Sequence, residues 1–107
     1  MEVTPTAEYP ILRVVDMVFR ANEREAFLTL FAEHQQAITE RPGCGGVVLV
    51  ERELESDEEV GFSTVSRWRS VEDLDAYRRS ELFGVVWPAT KRLFARSPRA
   101  TSYARTM

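Results

Sequence analysis

Residues Gly61–Phe94, GFSTVSRWRSVEDLDAYRRSELFGVVWPATKRLF, decide how this chain folds. In the first part Phe62, Thr64, Ser66 and Trp68 alternate with Ser63, Val65, Arg67 and Arg69, the period of two that marks a strand. After Trp68 the period changes. Ser70, followed by Val71, Glu72 and Asp73, sets a hydroxyl ahead of orphan helix amides and an acid three residues on, a variant of the capping box. A helix therefore starts within a residue or two of Trp68. Ser80 offers a second cap in the middle of the helical segment, and Pro88, directly after Trp87, is expected to disturb the regular helix there.

Working outward, Ile11–Arg20 reads as a strand whose two faces are both largely apolar: Ile11, Arg13, Val15, Met17, Phe19 on one, Leu12, Val14, Asp16, Val18, Arg20 on the other. A sheet with one wet face alternates apolar and polar side chains, so this strand expects cover on both sides. Before it, Met1–Pro10 is a polar arm with two prolines, expected to be loosely held. After it, Asn22 is expected to cap a helix of about 18 residues. Glu23 and Glu25 stand in its first turn, and Phe27, Leu30, Phe31, His34, Ala37 and Ile38 form one buried stripe. Pro42–Gly46, PGCGG, stops the helix, Gly46–Leu54 is a strand, and Glu55–Glu59 is a charged hairpin loop before a third strand from Val60. Pro98–Thr106 makes the last strand. The order strand, helix, strand, strand, helix, strand is the ferredoxin-like βαββαβ arrangement, an α+β fold with an antiparallel sheet and its helices on one face. Nothing in residues 11–107, read as a single domain, covers the other face, so a second copy is expected to do so, giving a homodimer with a barrel-like interior.

Composition narrows the function. The 107 residues are 44% hydrophobic and 29% charged, enough for one modest core. No apolar run approaches the roughly 20 residues of a membrane span, and MEVTPTAEYP lacks the regions of a signal peptide, so the expected setting is the cytoplasm with no membrane partner. One cysteine, Cys44, makes no internal disulfide, and one histidine, His34, supplies no multi-histidine metal site; neither a metal nor a cofactor fingerprint is present. The net charge of -3 hides an asymmetry: residues 1–60 carry 5 basic and 13 acidic side chains, residues 61–107 carry 9 and 4. Such a split either guides an anionic ligand or a partner copy, or is simply two solvated faces. The acidic total and the lack of a basic run interleaved with aromatics argue against nucleic acid.

The run FSTVSRWRSVEDLDAYRRSELF, preceded by ITERPGCGGVVLVERE, resembles the antibiotic biosynthesis monooxygenase superfamily of dimeric α/β barrels from Ile11 to Tyr103. Its motif is carried by Trp68 at the strand end, then Ser70, Tyr77, Ser80 and Phe83. The resemblance implies cofactor-free oxygenation of phenolic or polycyclic aromatic substrates, quinol oxidation or heme degradation. Three positions depart from it. Trp87 stands where the heme-degrading branch has its iron-ligating histidine, and an indole offers no lone pair to a metal. Asp16 stands where that branch has an asparagine on the first strand, and Thr64 replaces the asparagine that the cofactor-free branch carries four residues before the tryptophan.

The expected activity is a cofactor-independent monooxygenase of a small aromatic, phenolic or quinol substrate. Asp16, His34 and Trp68 are the catalytic candidates, and Thr64, Tyr77, Phe83 and Trp87 the substrate-binding ones. A carboxylate between Val14 and Val18 is costly to bury unless paired, so Asp16 is either the acceptor of a phenol's proton or half of a salt bridge. His34 is either a base, since imidazole ordinarily titrates near neutrality, or a satisfied core residue. Trp68 either stacks on a flat ligand or fills the core where strand meets helix; Tyr77 and Trp87 face the same choice. The competing reading is a non-enzymatic dimer that holds a small apolar molecule in the same cavity. Heme held through another ligand is a third.

Overall fold

The computed structural model describes residues 3–107; Met1 and Glu2, the start of the expected arm, lie outside the described residues. Four strands, β1 (Ile11–Arg20), β2 (Cys44–Arg52), β3 (Glu59–Trp68) and β4 (Arg99–Ala104), form one antiparallel sheet in the order β2-β3-β1-β4. The described residues also form three α-helices: α1 (Arg24–Thr39), α2 (Val71–Arg78) and α3 (Glu81–Lys91). Each strand–helix–strand unit leaves a gap that a strand of the other unit fills, which is the ferredoxin-like split arrangement. The sheet stays open, with β2 and β4 as its edges.

Register fixes the two faces. Across β1, β3 and β2, Met17 pairs Phe62, Thr64 pairs Val15 on one side and Leu49 on the other, and Ser66 pairs Arg13 and Val47 likewise; these side chains share the face under the helices. Phe19, fully buried, stacks on Phe27 of α1 with ring centroids 4.2 Å apart, and Met17, Phe62 and Phe94 close around them. Burying an aromatic ring there stabilises the fold by about 1.5–3 kcal/mol each, so this cluster anchors α1 to the sheet. Among the described residues no helix covers the opposite face. Val14, Val48 and Val65 form one row across it, with Val50 46% and Tyr103 55% exposed nearby.

Local chemistry explains most boundaries and corrects several. Ser70 Oγ accepts from Asp73 N at 3.1 Å and Ser80 Oγ from Phe83 N at 3.2 Å, so both serines cap as the sequence predicts. Asn22 does not. A 3-10 turn over Ala21–Glu23 precedes α1, which begins at Arg24 with no side-chain cap. Pro88 does not interrupt α3 either. The amide it lacks would have served the carbonyl of Gly84; both residues are on the exposed side of the helix, where that carbonyl is open to solvent. Gly43 takes φ +77° at the turn into β2, and a Cβ on it would run into the Asp73 carboxylate, which explains glycine in PGCGG.

The segment before β1 is tied to the sheet. Thr6 and Tyr9 close a turn on each other, Arg105 N donates to Pro10 O at 2.8 Å, and the Tyr9 ring lies against Gly45 and 5.1 Å from the Arg67 guanidinium. Arg67 also donates through Nε to Gly45 O at 2.6 Å.

Candidate active site

Away from the phenylalanine cluster, the helices stand off the sheet and leave a cavity of about 280 Å³. Its floor is the covered face of β1 and β3, with Arg13, Val15, Thr64, Ser66 and Trp68. Tyr77 from α2 and Phe83 and Trp87 from α3 make one wall, and Phe31, His34 and Ile38 from α1 the other. The serine caps set that first wall. Ser80 Oγ donates to Tyr77 O at 2.6 Å while accepting from Phe83 N, so one hydroxyl locks the end of α2 to the start of α3.

The aromatics form a ladder. Trp68 stacks on Tyr77 (5.3 Å, 21°), Tyr77 meets Phe83 edge-on (5.2 Å, 86°), and Phe83 stacks on Trp87 (5.8 Å, 19°). Trp87 then turns its edge to Phe94, joining the ladder to the core. Trp68 fills the core where strand meets helix, 1% exposed, and also lines the cavity. Its indole Nε1 donates to Ser66 Oγ at 2.9 Å, so the buried N–H is satisfied without a ligand.

His34 lines the cavity, and its Nδ1 lies 2.9 Å from Leu30 O, one turn back along α1. A carbonyl only accepts, so Nδ1 carries a proton, and Nε2 is the ring nitrogen whose lone pair can take one. That is the arrangement of a proton acceptor. Tyr77 is not one: burial, with Cys44 nearby as a lesser cause, pushes its phenol up to about 12. Burial likewise raises the Cys44 thiol, against the smaller pull of the Gly46 backbone and Arg67, so this lone cysteine stays protonated.

Six of the seven predicted site residues, Thr64, Trp68, Tyr77, Phe83, Trp87 and His34, therefore surround one space. Asp16 does not join them. The pleat turns it to the bare face with Val14 and Val18, where it accepts a hydrogen bond from Ser63 Oγ and lies 3.8 Å from Arg52 Nε, its side chain 37% exposed. The cavity is reached on β1 by its neighbours Val15 and Met17. Sequence reasoning passed over Arg13 and Arg78, which both line the cavity, and Ser66, which holds the indole. Arg13 had a signal: it is the one polar member of the set Ile11, Arg13, Val15, Met17, Phe19.

The described residues hold no group of three or more His, Cys, Asp or Glu placed to bind a metal ion, and no helix among them is long and apolar enough to cross a membrane. Residues 10–86 match the sequence profile of a family described as antibiotic biosynthesis monooxygenase. The chain has no significant match among curated proteins. Among solved structures, it is similar to a conserved protein from Methanosarcina mazei, with TM-score 0.81 and 18% identity over 94% of this chain and 96% of that one. A Mycobacterium tuberculosis protein matches with TM-score 0.79 and 21% identity over 92% and 96%. A Nitrosomonas europaea protein provisionally named an antibiotic biosynthesis monooxygenase matches with TM-score 0.79 and 12% identity over 95% and 94%. At these identities the likeness to solved structures shows a shared fold.

Proposed function

Given that this chain belongs to the antibiotic biosynthesis monooxygenase family, we propose that it is a cofactor-independent monooxygenase of a small aromatic substrate, a quinol or an anthrone-like phenol. The observation that carries this reading is His34, its Nδ1 committed to Leu30 O, set in the wall of an aromatic cavity. The electrons given to dioxygen come from the substrate. His34 Nε2 takes the phenol proton, and the electron-rich anion passes one electron to dioxygen. The radical pair couples as a carbon–oxygen bond, the peroxide anion takes the proton back from His34 Nε2, and the hydroperoxide loses water to leave a quinone carbonyl. One oxygen atom stays on the ring, the other leaves as water, and the substrate supplies all the electrons. Trp68, Tyr77 and Trp87 hold the ring away from water, and the Thr64 hydroxyl donates to a substrate oxygen. A second copy covers the bare face of Val14, Val48, Val50 and Val65.

Oxygen uptake by metal-free protein with a panel of quinols and anthrones tests the chemistry. Uptake that depends on protein and falls with His34→Gln supports it; none on any substrate counts against it. The position of Asp16 outside the cavity leaves a single base there, and this favours, as second reading, a dimer that only sequesters an aromatic molecule. Recovery of bound quinol unchanged under air would select that alternative.

A further inference from the structure

Arg13 sits on the cavity floor between Ile11 and Val15, and Arg78 joins it from the last turn of α2. Their charges are unequally compensated. Arg78 Nη1 lies 3.8 Å from Asp75 Oδ1, with both side chains about half exposed. Arg13 Nη1 donates to the neutral Ser102 Oγ at 2.9 Å, and no described carboxylate lies within ion-pair distance of it. Burial first, and the neighbouring Arg78 second, hold the Arg13 guanidinium below its ordinary value, with Asp75 opposing. Two cations thus lie near each other beside apolar walls, and the neighbouring carboxylate, Asp75, is within ion-pair distance of Arg78 alone. A half-buried guanidinium without an anion is a net cost to the fold, and an anion that arrives with a ligand removes that cost.

We propose that the substrates of this cavity are aromatic carboxylates, the ring lying along Trp68, Tyr77 and Trp87 and the carboxylate held by Arg13 with Arg78 beside it. The proposal deepens the reading above and rests on it for the aromatic ring. Arginine is suited to this task, because its planar fork meets the two oxygens of a carboxylate in parallel. Arg78 and Ala100 are exposed while lining the cavity, so the opening lies between the end of α2 and β4, and an anionic group is met there first. The chain as a whole carries a net charge of -3, so attraction of an aromatic anion would come from this local pair and not from the global field.

The test uses naphthoate and naphthamide, which share a ring system and differ in charge. Both tryptophans of the chain line the cavity, so quenching of their fluorescence, checked by calorimetry, reports binding there. Naphthoate is expected to bind about 10- to 100-fold tighter than naphthamide. Arg13→Gln should erase most of that preference while leaving naphthamide affinity nearly unchanged. Arg13→Lys, which keeps the charge and loses the fork, should fall between. Equal affinity for the two probes in the wild-type protein, binding of neither, or a preference that survives an Arg13→Gln, Arg78→Gln double variant overturns the proposal. The titration is run without oxygen and so is independent of turnover. A naphthoate preference in a protein that consumes no oxygen would refute the monooxygenase reading alone.

Discussion

Tyr77 offers a quantitative check on how the cavity wall is built. Its phenol is raised to about 12 from an ordinary 10 because the ring is buried between Trp68 and Phe83, where a phenolate loses its hydration. The folded state thus holds this proton more tightly than the unfolded chain does. Below about pH 10 both states are protonated, and Tyr77 makes no pH-dependent difference. Between about pH 10 and about pH 12 the unfolded chain has released its proton and the folded one has not, so stability falls as pH rises. Each unit of difference is worth about 1.4 kcal/mol, so the loss attributable to Tyr77 reaches roughly 3 kcal/mol. Tyr77→Phe keeps the ring and its stacking and removes the titrating group. Urea unfolding of both proteins at stepped pH isolates the effect from other alkaline transitions. The wild-type stability minus that of Tyr77→Phe should drop by roughly 3 kcal/mol from about pH 9 to about pH 12. Two parallel curves would show that Tyr77 is not desolvated in solution, and the stacked wall would have to be abandoned.

The remaining predictions concern the base, the cap and the bare face. His34→Gln, with its circular dichroism unchanged, should lower substrate-dependent oxygen uptake by about 10²- to 10⁴-fold; wild-type rates in the variant would remove His34 from the mechanism. Ser80→Ala deletes both the cap of α3 and the tie to Tyr77 O, and should cost about 1 kcal/mol, seen as a melting temperature lower by roughly 4–8 °C. An unchanged melting temperature would mean that water replaces the hydroxyl at no cost. Val50→Lys, at an exposed position of the bare face, should leave the secondary structure intact and shift a sedimenting dimer to monomer at micromolar protein. A wild-type protein that is itself monomeric there would rule out the twin sheet.

What the sequence determined by itself was whatever depends on near neighbours along the chain. The alternation from Phe62 to Trp68, the hydroxyls of Ser70 and Ser80 placed three residues before the amides they cap, and the order of elements all follow from local geometry, and each is met in the fold. Part of the aromatic wall was legible for the same reason, since Phe83 and Trp87 stand four residues apart, about one helical turn, beyond a strand-end tryptophan. Tertiary structure decided the rest. A period of two states which residues of β1 share a face but not which face the helices cover, and both faces here are apolar; the choice fell against Asp16 and brought Arg13 into the cavity. Pro88 is tolerated on the exposed side of α3, and Arg13 comes near Arg78 only because β1 and α2, far apart in sequence, come together at one end of the sheet. Local rules specify backbone conformation over a few residues, whereas a charge in a cavity depends on which distant elements pack around it, and that is settled by burying the core.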